Sequence, residues 1–279
     1  MKIEDVETDG QALRLVISGV DVSFVNSIRR ALIADVPKMA IEHVEIHMGS
    51  ISDEDGKSYE STNPLFDEIL AHRLGLVPLP TDLSLYKFRS ECDCGGEGCP
   101  TCTIMYSLNK KGPCTVYSGD MEPLGDAKLA PVDKLIPLTN LTKDEAILIY
   151  ATAELGRGRE HAKWQGVQGA SYQHYPNVKI SHSKCDNDGH CIDHCPKGVF
   201  ARDKDGKVHV ARMEECILCN ACIESCARDA ISVKGEDNKF IFRFETDGSL
   251  SPAAALLYAL KYLEEEAERL RESVGEMEE

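Results

Sequence analysis

Eleven of the twelve cysteines in this 279-residue chain fall in two short segments, and their spacing is typical of metal ligation. The stretch ECILCNACIESC carries a complete C-x2-C-x2-C-x3-C run, the spacing that binds cubane iron–sulfur clusters. An incomplete copy precedes it, in which an aspartate stands where the second cysteine is expected. The complete run is Cys216, Cys219, Cys222 and Cys226, and the incomplete one is Cys185, Asp188, Cys191 and Cys195.

In paired runs of this kind, the fourth cysteine of each run ligates the cluster of the other run. This rule predicts a four-thiolate site and a second site with three thiolates and a possible carboxylate ligand. The second site suits either a [3Fe–4S] cluster or a [4Fe–4S] cluster with an oxygen ligand on one iron, and a pair of zinc sites is the disfavoured alternative. The predicted sets are Cys195, Cys216, Cys219 and Cys222 for the first site, and Cys185, Asp188, Cys191 and Cys226 for the second.

The other cysteine segment, CDCGGEGCPTC, predicts a structural zinc site. Four thiolates within eleven residues can close a tetrahedral site, and the interleaved glycines let the backbone curl around the ion. The alternative is a reduced loop without metal. The predicted ligands are Cys92, Cys94, Cys99 and Cys102.

The bulk composition narrows the classes of function. A net charge of −16 disfavours direct contact with nucleic acid, which requires a basic face. We find no apolar run long enough to span a bilayer and no apolar secretory leader. Clustered rather than scattered cysteines favour metal binding in a reducing compartment, so we expect a cytoplasmic protein without membrane contact.

No catalytic motif accompanies the predicted metal sites. The sequence lacks the glycine-rich nucleotide loops, the HExxH zinc motif and the GxSxG elbow. His72 and His161 lie beside basic residues and are interpreted as structural, so we expect no catalytic residues on this chain. The basic segment Gly156–Glu160 could cradle a phosphate or dock on a neighbouring protein.

The elements that must position these groups alternate between strands and helices. Alternating apolar residues predict strands at 11–19, 147–153 and 240–244, and a helix follows a cap at Asp21 or Ser23. Residues 49–61 are expected to form a loop, and Asn63-Pro64 is expected to open a short helix that Gly75 ends. The sequence therefore predicts a chain that contains both strands and helices.

The last predicted helix is capped by Ser251 and runs toward Glu272. Its apolar residues recur at alternating spacings of four and three, which forms a heptad-like seam. The seam could pack on the chain's own sheet or on a partner chain, and spacing alone leaves both open. Covering its leucines with a helix from another chain would remove apolar surface from water. The leucines of the seam are Leu256, Leu260, Leu263 and Leu270.

Three segments in order resemble the alpha-type subunits of cellular RNA polymerases, in the archaeal branch that carries a ferredoxin-like insertion. They are FVNSIRRALIADVPKMAIEHVEI, NPLFDEILAHRLGLVPL and LGRGREHAKWQ, at residues 24–46, 63–79 and 155–165. With the last helix, they are distributed on both sides of each cysteine segment.

The resemblance implies the fold class α+β, with a discontinuous dimerisation domain of residues 1–43 and 238–279. It also implies a second α+β domain, 44–181, that carries the zinc loop 91–102. A ferredoxin-like iron–sulfur domain, 182–237, would be inserted between them. It further implies that the chain is a non-catalytic assembly platform of the polymerase, a nucleotidyltransferase active in transcription.

The expected partners are the small subunit L, which would pair through the last helix, and the large catalytic and small assembly subunits. Asn26, Arg29 and Arg30 and the GRGREH loop resemble segments that contact the large subunits. A ferredoxin-type electron carrier with an accessory domain is the competing interpretation, and it predicts a monomer with reversible redox activity.

Overall fold

A computed structural model describes residues 1–52, 56–62 and 64–276 of the chain. It is a mixed α+β structure, in agreement with the predicted fold class. The described helices are α1 (Val22–Ala34), α2 (Asp67–Gly75), α3 (His190–Asp193), α4 (Ala221–Glu224) and α5 (Pro252–Glu276).

Two of the three predicted strands extend further than the apolar alternation indicated, and the strand predicted at 11–19 is one residue shorter at each end. The described strands are β1 (Lys2–Asp9), β2 (Ala12–Ser18), β3 (Pro37–Ile46), β4 (Gly49–Ser52), β5 (Ser58–Ser61), β6 (Thr103–Lys111), β7 (Cys114–Tyr117), β8 (Met121–Pro123), β9 (Pro137–Leu141), β10 (Glu145–Arg157), β11 (Val167–Ile180), β12 (Phe200–Arg202), β13 (Val208–Val210) and β14 (Ile231–Thr246).

The chain divides into two compact units. The first comprises residues 1–7, 13–27 and 171–243, and it includes the second cysteine segment. The second comprises residues 8–12, the described residues between 28 and 170, and those from 244 onward, and it includes the first cysteine segment. The division of the sequence into domains at 43/44, 181/182 and 237/238 remains a prediction.

A mixed sheet organises the second unit around its long strand β10. This strand pairs antiparallel with β6 on one side and with β3, along much of its length, on the other, and its first residues run parallel to β5. In register, Ile149 of β10 lies opposite Ile46 and Leu108. The apolar side chains of β10 alternate inward, and they join a core that includes Leu70 and Leu74 of α2.

The four-stranded sheet has the order β1-β2-β14-β11. Between β11 and β14, the chain forms the second cysteine segment, with α3, α4 and the short hairpin β12–β13. Its small core contains Phe200 and Val208 together with the thiols of Cys191, Cys216 and Cys222. Cysteines thus supply much of the interior of a segment that has few large apolar side chains.

Side-chain caps fix two of the helices where the sequence predicts them. The amide of Phe24 donates to Asp21 Oδ1 over 2.9 Å at the start of α1. At the start of α5, the amide of Ala254 donates to Ser251 Oγ over 3.2 Å, and Pro252 occupies the first helical position.

The prediction of a loop at 49–61 is wrong for the described residues of this segment. β4 pairs antiparallel with β5, and β5 pairs with the first residues of β10. Backbone pairing with a neighbouring strand therefore overrides the polar composition of the segment. The predicted opening of a helix at Asn63 lies outside the described residues, and the described helix begins at Asp67 and ends at Gly75.

Candidate metal centres and partner surfaces

The first cysteine segment has the dimensions of a site for a single tetrahedral ion. The four sulfur atoms of Cys92, Cys94, Cys99 and Cys102 all lie within 4.8 Å of one another. Three of the separations are 3.5 Å (Cys92–Cys99), 3.7 Å (Cys94–Cys102) and 3.8 Å (Cys99–Cys102). Sulfurs bound to zinc at 2.3 Å and at tetrahedral angles stand about 3.8 Å apart, so the donors fit a Zn²⁺ ion.

The glycines of this loop are required by its backbone. Gly95, Gly96 and Gly98 have φ angles of +68°, +86° and +100°, in the left-handed region that residues with a Cβ avoid. The turn between the second and third cysteines can therefore fold back on itself within a few residues. This folding brings Cys99 within contact distance of Cys92.

The thiols of the loop differ in their acidity. The backbone amide of Cys94 and the hydroxyl of Thr101 stabilise the thiolate of Cys92 and lower its pKa to about 6. Burial raises the pKa of Cys102 to about 12. One sulfur is thus ready to bind a cation at neutral pH, whereas the other must lose a proton when the ion enters.

Arg89 holds the loop against the sheet. Its guanidinium donates to the carbonyl oxygen of Gly96 over 2.8 Å and pairs with Glu154 of β10 over 3.2 Å. The amide of Lys87 donates to the carbonyl of Thr101, just before the last cysteine of the loop, over 3.0 Å. The residues just before the first cysteine are therefore fixed by the loop that they precede.

The second cysteine segment is an internal structural repeat. Each half places a residue of left-handed conformation after its first cysteine, another before its short helix, and a third after its fourth cysteine. The equivalent pairs are Asn187 with Leu218, Gly189 with Asn220, and Gly198 with Asp229. The duplicated spacing in the sequence thus reflects a duplicated backbone.

The repeat extends to hydrogen bonds that point at sulfur. The amide of Val199 donates to Cys195 Sγ over 3.4 Å, and the amide of Ala230 donates to Cys226 Sγ over 3.4 Å. Hydrogen bonds from backbone amides to sulfur stabilise the thiolate form and tune the potential of a bound cluster. They fall on the fourth cysteine of each half, the ligand that the spacing rule assigns to the other half's cluster.

The four thiols of the first predicted cluster line one pocket, together with Pro196, Val199 and Phe200. Burial raises the pKa of Cys222 to about 11, and the neighbouring thiols of Cys216, Cys195 and Cys219 add to the shift. Both observations indicate that the sulfur of Cys195, from the first run, lies near the three sulfurs of Cys216, Cys219 and Cys222 in the second.

The residues of the second predicted cluster also converge. Burial raises the pKa of Cys191, and negative charge on Cys185, Asp188 and Cys226 raises it further. Asp188 is exposed, and its Oδ1 accepts a hydrogen bond of 3.1 Å from the amide of His190. A carboxylate therefore occupies the position that Cys219 has in the complete run.

The sulfurs of this segment are more widely spaced than those of the first loop. In the part of the chain that the structure describes, Cys92, Cys94, Cys99 and Cys102 are the only group of three or more potential ligands with all donor atoms within 4.8 Å. Thiols that share a pocket at larger separations suit a multi-iron cluster better than a single ion, because the iron atoms and inorganic sulfides occupy the space between them.

Two side chains fasten the second run to the four-stranded sheet. Glu214, two residues before Cys216, forms an ion pair with Arg14 of β2 and accepts a hydrogen bond of 3.0 Å from the hydroxyl of Tyr175 in β11. The charge on Glu214 favours the protonated guanidinium, and the pKa of Arg14 is raised although its burial opposes this. The loop that carries the predicted ligands is thus anchored to the sheet by these two contacts.

Helix α5 buries one face and leaves another open. Its buried residues are Pro252, Ala255, Ala259 and Tyr262, mostly small side chains. The predicted leucine seam is offset from this face: Leu256, Leu260 and Leu263 are half-buried, whereas Leu270 is 67% exposed. The described part of the chain therefore covers the first three leucines only in part and leaves Leu270 open.

The seam is longer than the sequence prediction. Val274 follows Leu270 by four residues and is 49% exposed, so it continues the alternation of four and three. The complete series is Leu256, Leu260, Leu263, Ala267, Leu270 and Val274. The position of Val274 could have been predicted from its spacing, but the predicted seam ended at Leu270.

The predicted contact residues of α1 lie on one helical face. Asn26 and Arg29 are half-buried and Arg30 is exposed, at positions three and four apart that share a face. The GRGREH loop makes contacts within its own unit. Arg159 pairs with Asp35 at the end of α1, and it donates a hydrogen bond of 3.0 Å to the hydroxyl of Tyr262 in α5. No sequence motif indicated these two partners.

Comparison with known proteins shows that the chain is similar to a class of RNA polymerase subunits. The family model of the RNA polymerase Rpb3/Rpb11 dimerisation domain matches residues 14–267. This stretch begins in the four-stranded sheet and ends within α5.

Three relatives that match nearly the whole chain are all named as one subunit of the polymerase. The chain is 42% identical to DNA-directed RNA polymerase subunit Rpo3 of Picrophilus torridus over 274 residues, covering 98% of this chain and 100% of that protein. It is 41% identical to Rpo3 of Thermoplasma volcanium over 276 residues (99% and 100%) and 37% identical to Rpo3 of Methanosarcina acetivorans over 272 residues (97% of each). The chain belongs to the Rpo3 family of DNA-directed RNA polymerase subunits.

The helices were also compared with the length and apolarity that a membrane span requires. Among the helices of the described residues, none is both long and apolar enough to cross a bilayer. α5 is the longest of them, and its second half is rich in glutamate.

Proposed function

We propose that this chain is a non-catalytic assembly subunit of archaeal DNA-directed RNA polymerase, pairing through α5 with the small subunit L and docking the large catalytic subunits. The observation that carries the proposal is the partly open seam of α5, with Leu270 and Val274 exposed, in a chain that matches the Rpb3/Rpb11 dimerisation domain over residues 14–267. A helix of the partner that supplied a complementary heptad seam would bury Leu263, Leu270 and Val274.

The docking role of α1 and of the GRGREH loop is part of the proposal. The exposed guanidinium of Arg30 can form ion pairs with acidic groups of a large subunit. Arg159 already pairs with Asp35 and Tyr262, so its proposed role is to fix the conformation of the GRGREH loop that would contact a large subunit.

The proposal includes two kinds of metal centre. Cys92, Cys94, Cys99 and Cys102 would hold Zn²⁺, which would close the loop and supply local folding free energy but no catalysis. The residues of the second segment would hold two iron–sulfur clusters, one on Cys195, Cys216, Cys219 and Cys222 and one on Cys185, Asp188, Cys191 and Cys226. The thiol-rich core of this segment supports a mainly structural role for them.

The three-part domain organisation is proposed on the same grounds. Residues 1–43 with 238–279 would form the dimerisation domain, 44–181 the second domain, and 182–237 the iron–sulfur insertion. Entry and exit of the insertion at neighbouring strands of one sheet support this division.

Co-expression with subunit L, followed by size-exclusion chromatography with light scattering, tests the proposal. We expect a stable one-to-one heterodimer that then binds the large subunits. A chain that elutes alone as a monomer, and that exchanges electrons reversibly through its clusters, would instead support the ferredoxin-type electron carrier and overturn the assembly function.

A further inference from the structure

Arg157, the last residue of β10, lies between two aromatic rings that belong to different elements. Its guanidinium carbon is 4.8 Å from the ring centre of Phe88 and 5.5 Å from that of Tyr262. Its Nε is buried and has no hydrogen-bond partner. A buried unpaired donor is costly, so the position of this side chain is set by packing between the two rings.

On one side, Phe88 is tied to the four-cysteine loop. It lies between Lys87, whose amide donates to Thr101, and Arg89, whose guanidinium donates to Gly96. Arg89 also pairs with Glu154 on β10. Any change in the closure of the loop therefore reaches Phe88 through both of its chain neighbours.

On the other side, Tyr262 belongs to the buried face of α5. Its hydroxyl accepts the hydrogen bond from Arg159, which is paired with Asp35 at the end of α1. Tyr262 is one helical turn or less from Ala259 and Leu263, so its position sets the direction in which the seam faces.

We propose that Arg157 is a positioning residue through which metal binding in the loop 92–102 fixes helix α5. Occupation of the four thiolates closes the loop, Phe88 is held, and the guanidinium clamps Tyr262. The partner surface on α5 is then presented in one orientation only when the loop is loaded. The link from α5 to a partner rests on the proposed function, whereas the link from the loop to α5 does not.

Arginine is specifically required by this geometry. Its guanidinium is planar and can stack on two rings at once, whereas the ammonium of lysine is a compact point charge on a flexible stem. Arg157→Lys thus keeps the charge and removes the double stack. Because coupling between two sites is reciprocal, a change at Tyr262 must also alter the affinity of the loop for its ion.

Hydrogen exchange on the full-length chain, loaded with Zn²⁺ or stripped by a chelator, tests the first half of the proposal. In the natural chain, we expect removal of zinc to speed amide exchange at 255–266 at least tenfold. In Arg157→Lys and Arg157→Gln, exchange there should be fast and insensitive to zinc. Two variants of different character separate loss of coupling from loss of folding, since amides of the β10 core report whether each variant is folded.

Zinc affinity, measured by competition with a chromophoric chelator, tests the reciprocal half. Tyr262→Ala should weaken zinc binding at least fivefold, although no zinc ligand is changed. Leu257→Ala is the matched control, because Leu257 lies on the same helix and is 67% exposed, and we expect no change in affinity.

The outcomes separate this inference from the proposed function. It is overturned if the chain takes up no zinc, if zinc leaves exchange in α5 unchanged, or if the Arg157 variants respond to zinc as the natural chain does. A chain that shows the coupling and yet does not pair with subunit L supports the inference and overturns the assembly function.

Discussion

Asp188 and Cys219 occupy equivalent positions in the two halves of one structural repeat. Each follows a residue of left-handed conformation, Asn187 (φ 61°) and Leu218 (φ 57°), and each precedes another, Gly189 (φ 94°) and Asn220 (φ 63°). The same backbone therefore presents sulfur in one half and a carboxylate in the other. The second predicted site would thus offer four ligands, three thiolates and one carboxylate.

The exchange of Asp188 for a thiolate gives the first prediction. In Asp188→Cys, the second site has four thiolates, which bind iron more tightly than three thiolates and a carboxylate do. We expect iron to be lost several-fold more slowly on exposure to air after anaerobic reconstitution, as followed by visible absorbance and iron analysis.

Asp205→Cys is the matched control for this experiment. Asp205 lies in the same segment, in an exposed turn between Cys195 and Cys216. A cysteine at this position would add a thiol that belongs to neither predicted ligand set. Equal rates of iron loss in the two variants and in the natural chain would show that Asp188 does not face the second cluster.

The zinc loop gives the second prediction. Cys102 is fully buried and lies 3.7 Å and 3.8 Å from the sulfurs of Cys94 and Cys99. Cys102→Ser should lower the zinc content of the purified chain by one ion, with a fall in thermal stability, because a structural site contributes on the order of 10 kcal/mol to local folding. Cys114→Ser, which removes the cysteine outside both segments, should leave the zinc content unchanged. The same content in all three proteins would argue against this loop as the site.

The acidity of the thiols gives the third prediction. The pKa of Cys92 is lowered to about 6, so this thiol is already ionised at pH 7, whereas the pKa of Cys102 is raised to about 12 and it keeps its proton. Zinc must displace the Cys102 proton, so the affinity should rise with pH by about tenfold per unit between pH 7 and 8 for each proton released. Calorimetry in two buffers of different ionisation enthalpy measures that release. Binding without proton release would contradict the assignment of Cys102 as a ligand.

The α5 seam gives the fourth prediction. Leu270→Asp and Val274→Asp should each weaken binding of subunit L roughly ten- to hundredfold, because burying one such side chain contributes about 1.5–3 kcal/mol. The melting temperature of the free chain should stay the same, since both side chains are exposed in it. Glu268→Ala on the same stretch of helix serves as control and should bind normally. Unchanged affinity in both aspartate variants would place the partner elsewhere.

Local rules in the sequence were sufficient for the features that depend on spacing and caps. The start of α5 at Pro252 follows from the serine cap, and the convergence of Cys195 with Cys216, Cys219 and Cys222 agrees with the rule for paired runs. The loop cysteines likewise come together as the motif predicts. In each case, a few neighbouring residues contain all the necessary information.

Features that depend on long-range contacts could not be read in this way. β4 and β5 are strands only because a neighbouring strand pairs with them, and nothing in their polar composition indicates it. The position of Arg157 between Phe88 and Tyr262 joins residues far apart in sequence. Val274 is a different case, since its spacing from Leu270 was visible and needed only one further step along the heptad.

The backbone hydrogen bond between Ser181 and Ala230 closes the base of the cysteine-bearing module. The amide of Ser181 donates to the carbonyl of Ala230 over 2.8 Å, at the point where the chain leaves β11 and returns to β14. The two strands are neighbours, so a short turn can replace everything between them without altering the order of the sheet. The cysteine-bearing module can therefore be gained or lost as a single cassette without disturbing the strand order of the sheet that carries it.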